Sequence, residues 1–176
     1  MFKKIIRKLL SQGNLLTLPR LSYSKVISNS PIEVLEPVDV PGGLTLEELC
    51  VIIGIVKQID NPRIFEFGSF RGRTCINLLH NVPDAQVTTI DLPLDFEASS
   101  GEQMHWIAKD KETVLNYERG VFFKKYADLS KSVERLFGDS MTFNFSKYHR
   151  QFDFVFIDAN HSYQNVINDS EVARQL

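Results

Sequence analysis

Short apolar runs alternate with helical segments along most of the chain, and this alternation is the feature that most limits the fold. The run FDFVFIDA is almost continuously apolar, as is typical of a central parallel strand that is covered on both faces. Strands that alternate with helices predict an α/β fold: a doubly wound, mainly parallel sheet with helices on both faces. The predicted elements are strands at 63–67, 86–92, 132–139 and 152–159, and helices at 73–82 and 162–176.

The first 43 residues differ in pattern from the rest. Residues 1–10, MFKKIIRKLL, place apolar and basic side chains on opposite faces of a helix. We interpret them as a basic amphipathic helix that packs on the domain or on a partner, with peripheral binding to an anionic membrane as the alternative. Prolines and glycines punctuate residues 11–43, which predicts an irregular arm lying across the domain. The predicted domain is 44–176. Its first helix is predicted to begin with a capping box of Thr45 and Glu48 and to be ended by Asn61-Pro62.

Composition excludes several classes of protein. A net charge of -2 argues against a general binder of polyanions, so we expect no nucleic-acid partner. No apolar run approaches the roughly 18 residues that a membrane-spanning helix needs. Cys50 and Cys75 lie in apolar helical patterns, which favours buried thiols in a reducing compartment over a disulfide or a metal site. We therefore expect a cytoplasmic protein.

The join between the first predicted strand and the helix after it carries a functional signal. Gly68 and Gly72 allow the backbone to approach a ligand closely, and Ser69 adds a hydroxyl. Their spacing, G-x-x-x-G, differs from the G-x-G-x-x-G of dinucleotide-binding turns. A turn that needs glycine for its geometry alone explains the spacing equally well.

Acidic residues fall at the carboxyl ends of all four predicted strands: Glu66, Asp91, Asp139 and Asp158. Ligands of open α/β sheets bind beyond these strand ends. Asp91 is placed to accept the hydroxyls of a ribose, and Asp139 can reach an adenine amine. Glu66 would repel a pyrophosphate but suit a cationic ligand. Together with the glycine spacing, this disfavours a dehydrogenase-like enzyme.

Four segments in order resemble a known family. FEFGSFRGRT, VTTIDL, LFGDS and FDFVFIDANHSYQNVINDSEVA are similar to motifs of class I S-adenosylmethionine-dependent methyltransferases, and in particular of methyltransferase family 24. The resemblance covers roughly Leu44 to Leu176. It implies a Rossmann-like sheet, S-adenosylmethionine as cofactor, and a small-molecule or sugar acceptor that is methylated on a hydroxyl.

The resemblance also implies roles for individual residues. The physical chemistry agrees, because the cofactor is a sulfonium cation with an amino-acid tail and needs no phosphate site. The implied cofactor-binding residues are Glu66, Gly68, Ser69 and Gly72 for the methionine part, Asp91 for the ribose, and Asp139 and Ser140 for the adenine.

The segment IDANHSY contains the candidate catalytic residues, His161 and Asp158. The unperturbed pKa of histidine is near 6.5, which suits a general base for a hydroxyl proton at neutral pH. Asp158, three residues earlier, would face the methyl donor or bind a divalent ion. In similar enzymes an aspartate here is a Mg²⁺ ligand, so the resemblance implies Asp158 as a metal ligand. A capping role for His161 and a cofactor contact alone for Asp158 are the alternatives.

The resemblance implies further strands after Leu176, so the sheet is expected to be incomplete on its C-terminal side. An unpaired edge on the fourth strand predicts a chain that is marginally stable, dimerises through that edge or lacks catalytic competence. The alternative function is a non-catalytic nucleotide- or cofactor-binding fragment that works only with a missing segment or a partner.

Overall fold

A computed structural model describes residues 30–39, 41–93 and 108–176. The predicted helix at 1–10, the arm before residue 30 and the stretch 94–107, most of which belongs to a polar segment that the sequence marks as a surface insertion (95–118), lie outside the described residues. The helices are α1 (Leu46–Val56), α2 (Arg73–Asn81), α3 (Ala108–Asn116), α4 (Val121–Lys125), α5 (Ala127–Ser130) and α6 (Tyr163–Ala173). The strands are β1 (Arg63–Phe67), β2 (Gln86–Asp91), β3 (Val133–Phe137) and β4 (Phe154–Ile157), and a 3₁₀ turn spans Ser146–Tyr148.

The four strands form one parallel sheet in the order β3-β2-β1-β4. The chain builds the sheet from β1 towards β3 and then returns to the other side of β1, where it places β4. The direction of winding therefore reverses between β1 and β4. The prediction of a doubly wound parallel α/β sheet is confirmed, with all four strands near their predicted positions.

Alternation of side chains along β1 separates two cores. Ile64 packs on one face of the sheet against α1, α2 and α4, among residues that include Leu49, Ile76 and Phe122. Phe65 and Phe67 point to the other face and pack with Ile90, Phe145, Tyr148 and Leu176. Helices or turns thus cover both faces, as the period of two along each strand requires.

The order of strands corrects the interpretation of β4 as a central strand. β4 lies at one edge of the described sheet and pairs with β1 alone, and its four residues are only half-buried. The apolar residues of β4 are therefore partly uncovered at this edge of the described sheet. The predicted dimer through this edge stays a prediction.

Two predicted helices end earlier than expected. α1 starts at the predicted capping box, in which Thr45 Oγ1 accepts from the Glu48 amide at 3.3 Å, but it ends at Val56 rather than at Asn61. α6 ends at Ala173 because Leu176 is buried in the second core, and its carbonyl accepts from Gln151 N at 2.7 Å. A continuous helix to the last residue could not make these contacts.

The described part of the arm, residues 30–39, runs along α2. Asn77 and Asn81 lie one turn apart on α2, and their amide groups bind the backbone of the arm in both directions. Asn77 accepts from Leu35 N at 2.7 Å and donates to Leu35 O at 3.0 Å. The two asparagines give the arm the hydrogen bonds that a neighbouring strand would provide.

Cys75 is buried, Cys50 is half-buried, and neither forms a disulfide. Among the described residues, no helix has both the length and the apolar character that are needed to cross a membrane.

Candidate functional site

A cleft opens at the carboxyl ends of the strands, at the reversal between β1 and β4. Its volume is about 810 Å³, part of which is open to solvent. This is the place where open α/β sheets bind their ligands. Its lining includes five residues singled out from the sequence together with His161: Gly68, Asp91, Asp139, Ser140 and Asp158.

One hydrogen bond beyond each of three strands, β1, β3 and β4, fixes the floor of the cleft. Gly68 N donates to Ile90 O at 2.8 Å, Gly138 N donates to Asp91 O at 2.9 Å, and Asp158 N donates to Phe67 O at 2.9 Å. The backbone after β1, β3 and β4 is thereby held to its neighbouring strand. The carboxylates at these strand ends are therefore held in position by the sheet.

The turn after β1 depends on Gly68. Its φ is +84°, a conformation that residues with a Cβ rarely adopt. A Cβ on Gly68 would lie 2.4 Å from Asp158 O and 2.7 Å from Ala159 Cα. The glycine therefore lets the turn after β1 touch the backbone after β4, and this contact forms the floor of the cleft.

Asp91 supports this turn from the end of β2. Its Oδ2 accepts from Phe70 N at 2.6 Å and Ser69 Oγ at 3.0 Å, while its Oδ1 accepts from Leu92 N at 2.7 Å. A carboxylate offers about four acceptor sites, so Oδ1 retains one that a ligand hydroxyl could use.

The loop after β3 brings Asp139 and Ser140 to the cleft. Asp139 Oδ1 accepts from Met141 N at 2.9 Å, which closes a local turn. Below this loop, Asn168 of α6 donates to Ser140 O at 3.1 Å, and the neighbouring Asp169 is fully buried. Burial raises the pKa of Asp169, while hydrogen bonds from Ser140 and Asn168 oppose the rise. The loop is thus held by α6 from beneath.

Asp158 and His161 meet at the end of β4, together with a residue from α3. His161 Nε2 lies 3.5 Å from Asp158 Oδ1, and His161 Nδ1 lies 3.1 Å from Asp110 Oδ2. Burial raises the pKa of Asp158 to about 6, with Glu48 and Asp110 adding to the rise and His161 opposing it. His161 does not cap α6, because Ser162 does so by accepting from Asn165 N.

Glu66 lies outside the lining of this cleft. Its side chain is 2% exposed and is directed towards α2, where Oε2 accepts from Cys75 Sγ at 2.8 Å and from Thr89 Oγ1 at 3.1 Å. Burial raises the pKa of Glu66 to about 8, and Asp158 and Asp91 contribute to the rise. A protonated, buried Glu66 differs from the exposed carboxylate that the sequence suggested, and its contact with a cofactor stays a prediction.

A smaller cavity adjoins the cleft, and Gly68, Phe70 and Asp158 line both. Ser69 and Arg73 also line it, whereas Gly72 lies in neither lining. Arg73 is 8% exposed. Its Nε donates to Glu36 O, and its Nη1 donates to Leu44 O and lies 3.6 Å from Asp39 Oδ1. Its Nη2 is buried without a hydrogen-bond partner. The guanidinium therefore keeps donors for an anionic group beside the first turn of α2.

The metal prediction finds no support in the described part of the chain. No group of three or more His, Cys, Asp or Glu side chains gathers there as a metal site. The carboxylates of Asp158 and Asp110 each lie against the imidazole of His161, and Mg²⁺ prefers six oxygen ligands. These residues do not fit a magnesium ion as they stand.

Two residues of the site, Asp110 and Arg73, were absent from the sequence predictions. Asp110 belongs to the first turn of α3, and it is 51 residues from its partner His161. Nothing in its local pattern indicates that pairing. Arg73 had a weak signal, since a basic residue directly after a glycine turn at a helix start can serve an anion.

A family model described as a methyltransferase domain, methyltransferase family 24, matches residues 65–176. No curated protein matches the sequence. Because every structure reported below has a TM-score under 0.5, the assignment to a family rests on this match.

Three solved structures illustrate the likeness. A protein assigned as a caffeoyl-CoA O-methyltransferase from Staphylococcus aureus is 17% identical, with a TM-score of 0.48, over 97% of this chain and 65% of that chain. The N-terminal domain of EvdMO1 with SAH bound is 14% identical, with a TM-score of 0.39, over 88% and 52%. Coclaurine N-methyltransferase, bound to N-methylheliamine and SAH, is 10% identical, with a TM-score of 0.40, over 89% and 42%. The chain thus spans less than two thirds of each of these structures.

Proposed function

Because the chain belongs to methyltransferase family 24, we propose that it is an S-adenosylmethionine-dependent methyltransferase that methylates a hydroxyl of a sugar or other small molecule. The observation that carries the proposal is the cleft at the reversal of the sheet. It gathers Asp91, Asp139 and Asp158 from the ends of three strands around His161. The named caffeoyl-CoA O-methyltransferase is consistent with an oxygen acceptor but does not identify one.

The residues present fit the cofactor. Asp91 Oδ1 has an acceptor site left for a ribose hydroxyl, and Asp139 and Ser140 lie at the next strand end, where the adenine would bind. The smaller cavity suits the amino-acid tail of the cofactor. Arg73 lines this cavity, and its Nη2 has no hydrogen-bond partner, so it could donate to the carboxylate of the tail.

When bound, S-adenosylmethionine supplies an activated methyl group on a sulfonium. The protein has to align the acceptor oxygen with that methyl and accept the hydroxyl proton. We assign the proton to His161 Nε2, which lies on the cleft side next to Asp158. The imidazolium so formed would be stabilised by Asp110 at Nδ1 and by Asp158 at Nε2. No step in this account needs a metal.

Replacing His161 with alanine is expected to reduce methyl transfer about 10²-fold, the lower range for loss of a general base. Binding of S-adenosylmethionine should be preserved, since the side chain of His161 is 58% exposed at the rim of the site. The measurement is transfer of labelled methyl from S-adenosylmethionine to sugars, phenols and caffeoyl-CoA. His149→Ala is the matched control, because His149 is exposed and lies outside the cleft lining. An undiminished rate in His161→Ala would refute the assignment of the base.

A second candidate is a cofactor-binding domain that is not catalytic without a partner. The observation in its favour is the apolar surface on α6 beside the β4 edge, where Tyr163, Val166 and Ile167 are 80%, 40% and 48% exposed. Binding of S-adenosylmethionine without transfer to any acceptor would favour this candidate. Transfer by the isolated chain would exclude it.

A further inference from the structure

We propose that Asp110 of α3 is a positioning residue that sets the orientation and the tautomer of His161. This inference rests on the proposed function, since it concerns the residue to which we assign the proton. It also makes a claim about the protein without ligands, which can be tested separately.

Two hydrogen bonds to one oxygen carry the inference. Asp110 Oδ2 accepts from the backbone N of His161 at 2.9 Å and lies 3.1 Å from its Nδ1. The carboxylate therefore holds the backbone and the ring of the same residue together. The side chain of Asp110 is 19% exposed, whereas that of His161 is 58% exposed. Because packing covers less than half of the His161 side chain, its contacts with Asp110 and Asp158 restrain the imidazole.

The contact with Asp110 also determines which nitrogen carries the proton. An ionised carboxylate accepts hydrogen bonds but donates none, and each ring nitrogen faces one: Nδ1 lies 3.1 Å from Asp110 Oδ2, whereas Nε2 lies 3.5 Å from Asp158 Oδ1. The shorter contact is made by the carboxylate that also binds the backbone of His161, and it favours the proton on Nδ1 of a neutral imidazole. Nε2 is then left with its lone pair, on the side where Asp158 and the cleft lie. A general base needs this arrangement, in which the free nitrogen faces the substrate and the other one is held from behind.

α3 contacts the site at a second point in addition to His161. Asp110 is in the first turn of α3, and Thr113 of the same helix lines the cleft next to Gly42 of the arm. α3 therefore contacts the loop after β4 through Asp110 and the arm through Thr113. α3 thereby contributes to the geometry of the base, in addition to lining the cleft.

Nuclear magnetic resonance of ¹⁵N-histidine-labelled protein tests the tautomer directly. The signal of His161 is identified by its loss in His161→Ala, and spectra are recorded at a pH where the imidazole is neutral. The wild type should show mainly the Nδ1–H form. Asp110→Asn should shift the population towards the Nε2–H form, while Glu112→Gln, an exposed control on the same helix, should not. A wild type that is mainly Nε2–H, or an unchanged tautomer in Asp110→Asn, would overturn the proposal.

A double-mutant cycle separates positioning from a structural role in holding α3. Asp110→Asn should reduce the rate of methyl transfer about tenfold with unchanged affinity for S-adenosylmethionine. In the His161→Ala background the same substitution should cause no further loss, because Asp110 acts through His161. Losses that multiply would show a role independent of His161 and would contradict the inference. Failure of the wild type to bind S-adenosylmethionine would instead count against the proposed function, and the tautomer result would still decide the role of Asp110.

Discussion

Gly68→Ala is expected to lower the free energy of unfolding by about 3 kcal/mol and to abolish cofactor binding. An alanine at φ +84° costs about 1–2 kcal/mol in backbone strain. Its Cβ would also lie 2.4 Å from Asp158 O, so the turn after β1 and the loop after β4 must separate. Overpacking of this kind typically adds about 1–3 kcal/mol. Because both segments form the floor of the cleft, a shift between them should disrupt the site as well.

Urea unfolding and calorimetric binding of S-adenosylmethionine would measure the two effects. Gly138→Ala is the matched control, since Gly138 also lines the cleft but a Cβ there would meet only the Phe143 ring, at 3.1 Å. We expect the control to retain most of its stability and its binding. Equal stability of Gly68→Ala and wild type would show that the two loops are not packed as described.

Glu66→Gln is expected to remove a large part of the pH dependence of stability. The pKa of Glu66 is about 8 in the folded protein against 4.5 for an ordinary glutamate, so the folded state keeps a proton that the unfolded state releases. Stability should therefore decline as the pH rises from about 4.5 to 8, by up to about 1.4 kcal/mol per pH unit. Summed over that range the decline is on the order of 5 kcal/mol. Glutamine is neutral throughout and keeps an oxygen for Cys75 and Thr89.

Urea midpoints of wild type and Glu66→Gln between pH 5 and pH 8 would test this. The two proteins should have similar stability at pH 5, and the variant should be the more stable one at pH 8. Glu171→Gln, at an exposed glutamate of α6, should follow the wild type at every pH. Parallel curves of stability against pH for wild type and Glu66→Gln would mean that Glu66 is ionised in the folded protein and is not buried as described.

The strands could be predicted from sequence because each is a short apolar run next to a turn signal. Asp91, Asp139 and Asp158 directly follow or end those runs, so a parallel sheet was enough to place them at one edge. Glu66 was harder to place, because alternation fixes the face of a strand that a side chain occupies but not whether a helix covers it. α2 covers that face, and the carboxyl of Glu66 is buried beside Cys75.

Long-range pairings were beyond the reach of sequence patterns. Asp110 meets His161 across 51 residues, and the pairing depends on the path of an insertion without strong periodicity. The apolar run of β4 by itself predicted a strand covered on both faces, and the expectation of an unpaired edge came instead from the resemblance, which implied further strands. The buried position of Leu176 ended α6 early for a similar reason, since its contacts are with residues distant in sequence.

Calorimetric titration determines whether the cleft binds S-adenosylmethionine. The chain would be titrated with S-adenosylmethionine, S-adenosylhomocysteine and NAD, alongside Asp91→Asn and the exposed control Asp84→Asn. We expect one binding site for S-adenosylmethionine and S-adenosylhomocysteine and none for NAD. Affinity should fall at least tenfold in Asp91→Asn, since a charge-assisted hydrogen bond contributes about 1.5–3 kcal/mol. A folded chain that binds neither S-adenosyl compound, or that prefers NAD, would show that the cleft is not a site for S-adenosylmethionine.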